Sequence, residues 1–137
     1  MYQRFVNQGK STQLNVLNTQ LKPCSSSPLT GYFRDSFCHT VETDYGSHTV
    51  AVSMTEQFLR YSKSTGNDLT TPMPEYNFPG LKVGDRWCLC ASRWQEAFEV
   101  GLAPNIILEA TNQRALEIIS LEDLASCALD AEKYRSD

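Results

Sequence analysis

The sequence predicts a single α+β domain: a small twisted sheet with about three helices packed mainly on one face, behind an irregular N-terminal third. Three observations lead there. The chain has 137 residues, enough for one sizeable core and little more. Strand and helix patterns alternate from residue 48 to about residue 110 and then stop alternating, which disfavours a doubly wound sheet. Residues 1–27 are polar and show no apolar period. Residues 1–14 are expected to be a flexible arm, residues 15–132 the domain, and residues 133–137 a frayed tail.

The first strand is expected over residues 48–54, where Val50 and Val52 alternate with small residues and His48 shares their side. A helix follows, with Ser53 and Glu56 at capping-box spacing and Thr55 as a competing N-cap. Phe58, Leu59 and Ser62 form its inner face, and Gly66 stops it, because glycine tolerates the positive φ of a helix C-terminus. Residues 67–79 carry three prolines and read as a long loop, the kind that often carries function. A second strand over residues 86–91 sends Trp87, Leu89 and Ala91 one way and Arg86, Cys88 and Cys90 the other. Both faces beyond Arg86 are apolar, so it is placed in the sheet interior.

A second helix is read from a Ser92–Gln95 capping box, with Trp94, Ala97, Phe98 and Gly101 at i, i+3, i+4 and i+7. Residues 106–110 and 116–119 read as two further strands. Ser120 and Asp123 cap a last helix whose stripe is Leu121, Leu124, Ala125, Ala128 and Leu129.

Composition excludes some functions. Hydrophobic residues are 41% and charged residues 20%, a globular balance. The net charge is −4 and the twelve Lys and Arg are scattered, so a nucleic-acid partner is not expected. No stretch is apolar and long enough for a membrane span, and residues 1–10 lack the apolar core of a secretory signal. A cytoplasmic protein is expected. Five cysteines, an odd count in a chain with its own core, read as reduced thiols.

The segment Gly84-Asp85-Arg86-Trp87-Cys88-Leu89-Cys90-Ala91, followed by Arg93-Trp94 and Glu96-Ala97, resembles the signature of an uncharacterised family of bacteria and some photosynthetic eukaryotes, catalogued as domain of unknown function 2237. Pro28-Leu29-Thr30-Gly31, Phe33-Arg34-Asp35, His48-Thr49-Val50, Met54-Thr55-Glu56, Gly66-Asn67-Asp68-Leu69 and Phe78-Pro79-Gly80-Leu81 match as well. The resemblance covers about residues 15–130 and implies a small two-layer α+β arrangement, with no catalytic residue to carry over. Two positions depart from that pattern: Phe37 stands where a cysteine is frequent, and Asn112 where a histidine is.

The candidate site residues are His48, Asp68, Asp85, Arg86 and Cys38. They are expected to meet in a cleft between the loop of residues 69–79 and the region of residues 33–48. His48 would need a carboxylate to act as a general base, and Asp35, Asp44, Asp68 and Asp85 are the candidates. Cys88 and Cys90 are weak candidates for a metal. Their C-x-C spacing puts both thiols on one strand face about 7 Å apart, and no second pair mirrors it. They read first as small buried apolar groups on the strand, and a reactive thiol there would need a neighbouring His or Arg, with Arg86 on the same strand face.

No cofactor is expected, since there is no Walker loop, G-x-G-x-x-G, G-x-S-x-G or H-E-x-x-H. The expected function is binding of, or catalysis on, a small molecule at that polar loop rim. The alternative is a protein-interaction module that uses the loop aromatics Tyr32, Phe33, Tyr76 and Phe78.

Overall fold

The structure is a computed structural model and describes residues 6–7 and 10–135. Two two-residue strands, β1 (Val6–Asn7) and β2 (Lys10–Ser11), pair at the start. The main sheet has three antiparallel strands in the order β4-β3-β5: β3 is His48–Ser53, β4 Arg86–Cys90 and β5 Asn105–Ile106. The helices are α1 (Glu56–Ser64), α2 (Ala91–Glu99), α3 (Leu121–Ser126) and α4 (Glu132–Arg135). No helix among the described residues is long and apolar enough to cross a membrane.

The sheet has two unequal faces. Val50, Val52, Trp87 and Leu89 share one core with Phe58 and Leu59 of α1, Trp94 and Ala97 of α2, and Leu124 of α3. Burying each large apolar side chain there contributes about 1.5–3 kcal/mol. Ala51 and Cys88 face the other way, into a smaller core with Cys24, Cys38, Ile107 and Ala110. Helices therefore cover one face, and the irregular N-terminal segment with the chain after β5 covers the other.

Local chemistry sets the helix ends. Thr55 caps α1, its hydroxyl accepting from the Phe58 N–H at 3.2 Å. Ser120 caps α3 by accepting from Asp123 N–H. The box read at Ser92 and Gln95 does not form. The chain turns from strand to helix two residues earlier, at Cys90, and Ser92 lies inside α2.

Three further expectations are corrected. The strand expected at residues 106–110 stops at Ile106, and Leu108–Ala110 is a 3-10 turn. Its Leu108 and Glu109 N–H groups bond the Asp130 carboxylate instead of a neighbouring strand. Residues 116–119 form no strand: Gln113–Glu117 is a second 3-10 turn capped by Asn112, because one alternating apolar pair cannot hold a strand that has no partner. The strand over Arg86–Cys90 is an edge, not the interior; β3 is central. Its apolar second face is covered by loop, and the hydroxyl of buried Thr30 accepts from the Cys88 N–H at 2.9 Å, blunting the open edge.

Of the arm expected over residues 1–14, residues 1–5, 8 and 9 lie outside the described residues, as do residues 136 and 137 of the tail. Residues 11–14 are tied to the domain. Ser11 meets His39 at 2.6 Å, and Gln13 bonds Thr40 and Asn112.

Thr30→Val keeps the shape and removes the acceptor for a buried N–H on the edge strand. Chemical denaturation should show a loss of about 1–3 kcal/mol. A loss near zero would mean that the edge is satisfied in another way.

Candidate functional site

The site is built on an irregularity in the central strand. His48 pairs with Cys90, but Val50 pairs with Leu89, so the register slips by one residue between them. Thr49 is the extra residue. Its N–H bonds Ser47 O at 2.7 Å, and its carbonyl accepts from Asn112 N–H. A slip of one residue carries a side chain to the opposite face of a sheet. His48 was expected on the side of Val50 and Val52; the slip moves it beside Cys90, out of the main core.

His48 Nε2 lies 3.5 Å from Cys90 Sγ. Its Nδ1 lies 2.7 Å from Asp44 Oδ1. Asp44 is the carboxylate that the sequence left unranked among four. It is 5% exposed and also accepts from the His48 N–H at 2.9 Å and the Thr40 hydroxyl at 3.0 Å. With the Asp44 carboxyl oxygen accepting at Nδ1, that nitrogen carries a proton, and Nε2 faces the thiol, with which it can share one. The His48 pKa is raised from its ordinary 6.5 to about 9: the hydrogen bond with Cys90 favours the charged ring most, burial opposes it, and Asp44 adds to the rise.

Two backbone features serve this pair. Cys90 is the N-cap residue of α2, at the positive end of that helix's dipole, and makes no side-chain cap bond. Gly46 lies against both partners. A Cβ there would stand 2.8 Å from His48 Cε1 and 2.9 Å from Cys90 Sγ, closer than real contacts allow.

The pair opens on a cavity of about 560 Å³. One wall comes from Tyr32, Arg34 and His48, the other from Asn67, Asp68, Leu69, Met73, Tyr76 and Phe78, with Trp87, Cys90 and Arg93 at the base. It lies between the two segments named from the sequence. Tyr32 stacks beside His48 with ring centres 6.0 Å apart.

The other candidates are distributed differently. Asp68 lines this cavity, but its oxygens accept from the N–H and hydroxyl groups of Thr70 and Thr71, which hold its carboxyl below the usual carboxylate range. Asp85 accepts from the Lys82 N–H and ammonium and lines a separate cavity of about 350 Å³. Arg86 is exposed and lines neither. The rim expected from Asp68, Asp85 and Arg86 is thus not formed, because residues 82–85 close a tight turn of their own.

Cys38 is corrected too. It is fully buried and bonded to Cys88 as a disulfide, so the reading of five reduced thiols fails at these two. The sulfur of Cys24 lies within 4.8 Å of both, and burial pushes its thiol up to about 12 against the opposing charge of Arg86. As for metal binding, Cys88 is in the disulfide and Cys90 faces His48 rather than a second thiol.

A second chain of the same kind exists away from the cavity. His39 lies 2.6 Å from Ser11 Oγ through Nε2 and 2.7 Å from Asp35 Oδ2 through Nδ1. His39 is 0% and Ser11 2% exposed, so this set is sealed and ties the N-terminal segment to the domain. Exposure, not bonding pattern, separates the two.

Sequence reasoning found His48 but missed Cys90 as its partner, along with Arg34 and Arg93. The available signal was the spacing of four between each carboxylate and its histidine, 35–39 and 44–48.

His48 should titrate near pH 9 in the folded protein, and Asp44→Asn should bring that midpoint down, as read by ring NMR shifts. The folded value lies above the ordinary one. The stabilisation from this group is therefore complete below pH 6.5 and is lost as pH rises through about 9. A midpoint near 6.5 in the native protein would contradict the arrangement.

Compared with known proteins, residues 14–128 match the family described as an uncharacterized protein conserved in bacteria, DUF2237. No curated protein matches the chain.

Proposed function

We propose that this chain, which belongs to the DUF2237 family, is a small cysteine-nucleophile enzyme acting on a small molecule by acyl transfer or hydrolysis. The observation that carries the reading is the alignment Cys90–His48–Asp44, at 3.5 and 2.7 Å, open to a cavity. A nucleophile, a base within reach and a third group orienting the base are the parts that activated-thiol chemistry requires.

Each residue has a role. With the proton of the Cys90–His48 pair held on His48 Nε2, Cys90 Sγ forms a bond to the substrate carbonyl carbon. The carbonyl electrons move to its oxygen. When the tetrahedral species collapses, the leaving group departs with the proton from His48 and a thioester remains on Cys90. Water or another acceptor then attacks, losing its proton to His48, and the thiol is regenerated. Asp44 keeps the ring in the correct tautomer throughout.

The loop aromatics bear on the interaction-module alternative. Tyr32, Tyr76 and Phe78 line the concave cavity, and Phe33 packs edge-on against Tyr32 with centres 5.0 Å apart. A concave wall beside a thiol supports the small-molecule reading over a flat docking patch. In the cytoplasmic setting that the sequence suggests, the thiol pool works against the Cys38–Cys88 bond. The reading does not depend on that bond, since neither sulfur belongs to the Cys90 set.

Alkylation by iodoacetamide, mapped by mass spectrometry, tests the reading with an internal control. Cys24, Cys90 and Cys127 are free, and Cys127 is as partly exposed as Cys90. Cys90 should react first at pH 7, and His48→Gln should slow it by about tenfold or more. Equal rates at Cys90 and Cys127, with no effect of His48→Gln, would overturn the proposal. Gly46→Ala should also slow Cys90 while leaving the circular dichroism spectrum native, because the added methyl group displaces the imidazole from the thiol; an unchanged rate would mean that the His48 contact is not what activates it.

A further inference from the structure

Resting on the thiol-enzyme reading, the geometry points to an anionic substrate: Arg34 and Arg93 form a subsite for a carboxylate or phosphate group on the molecule whose carbonyl Cys90 attacks. The charges lining the cavity are lopsided. Arg34, Arg93 and the His48 ring bring positive charge, and Asp68 is the one acidic residue on the wall. The Asp68 carboxylate is already turned into its own loop by four hydrogen bonds from Thr70 and Thr71, so it is a poor partner for the cations.

Arg34 is the stronger of the two anchors. Its backbone takes the left-handed conformation, φ 55°, in a turn closed by the Arg34 N–H to Gly31 O bond of 3.0 Å. Its side chain is fixed twice: Nη1 donates to Gly31 O at 2.6 Å, and the guanidinium lies 5.1 Å from the centre of the Trp87 ring, which itself lines the cavity. Among the described residues no carboxylate pairs with it. A guanidinium has five N–H donors, and one is used. A held, unpaired fork of donors beside a nucleophile matches the geometry of a carboxylate or phosphate.

Gly31 shows how tightly this turn is made. A Cβ on it would lie 2.3 Å from Phe37 O, so the turn that aims Arg34 requires glycine. Arg93 sits in the first turn of α2, three residues after the nucleophile, and its pair with Glu96 is a loose 4.0 Å between exposed side chains. Its charge remains available to a bound anion.

Two alkylating reagents that differ only in charge make the test. The rate of Cys90 with iodoacetate, divided by its rate with iodoacetamide, should exceed the same ratio for glutathione by about tenfold at low salt, and the excess should shrink as salt is added. Arg34→Gln should lower the ratio toward the glutathione value, Arg34→Lys should retain most of it, and Arg93→Gln should lower it in part. A native ratio equal to that of glutathione, or one that neither Arg34→Gln nor Arg93→Gln moves, overturns the anionic subsite while leaving the nucleophile in place. Failure of Cys90 to react preferentially with iodoacetamide itself overturns the thiol reading and this inference together.

Discussion

The site depends on one extra residue in the central strand. If the register ran on without the slip, Thr49 would stand opposite Cys90, and the period of two would put His48 on the side of Val50 and Val52, under the helices. The insertion is stable because Thr49's backbone is satisfied elsewhere, by Ser47 and by Asn112. The tight turn before it completes the arrangement: Asp44 N–H bonds Val41 O, Ser47 N–H bonds Asp44 O, and Ala91 N–H reaches back to Ser47 O. Strand β3, the start of α2 and the Asp44 turn are thereby fixed to one another within a few residues of the Cys90 sulfur.

Burial decides what each polar cluster can do. The chain holds two histidines, each four residues after an aspartate and each with a hydroxyl or thiol at its other nitrogen. In water-excluded packing, the Ser11–His39–Asp35 set is a fully satisfied network of the kind that specifies a unique structure. The Cys90–His48–Asp44 set has the same connectivity, but its imidazole side chain is 37% exposed while the Asp44 side chain is 0% exposed. The buried carboxylate holds the ring, and the exposed edge of the ring and the sulfur can meet a substrate.

Local signals were legible where one interaction settles the matter. Thr55 and Ser120 cap their helices because their hydroxyls need only the N–H three residues on. Val50 and Val52 alternate because one face is a core. The errors arise where a partner distant in sequence decides. Residues 116–119 have a strand-like pair of isoleucines, yet no strand edge waits for them, and Asn112 caps a 3-10 turn instead. The Cys38–Cys88 bond spans 50 residues, and its geometry follows from the pairing of Thr30 with the β4 edge, which no spacing encodes. The bulge is the hardest case. His48 was legible as a residue at a strand start, but its face was not, because a single inserted residue reverses the parity on which that reading rests.

The positions of the four sulfurs on β4 and beside it argue that the chain separates buried cysteine from the proposed nucleophile by strand end. Cys88 and Cys90 share a face, but Cys88 is 2% exposed and lies over the inner core, where Cys38 and Cys24 surround it. Two residues further on, the strand ends, the helix begins and the cavity opens. A thiol placed further inward is deprived of water, as Cys24 is: burial favours its neutral form, and it stays a thiol. The N-cap position gives Cys90 what that setting lacks, a dipole end, an imidazole and solvent on one side. The same position brings Arg93 into the first turn behind it. The proposed nucleophile and one cation thus come from four consecutive residues at a strand-to-helix junction, and the proposed base comes from the neighbouring strand through the slip at Thr49.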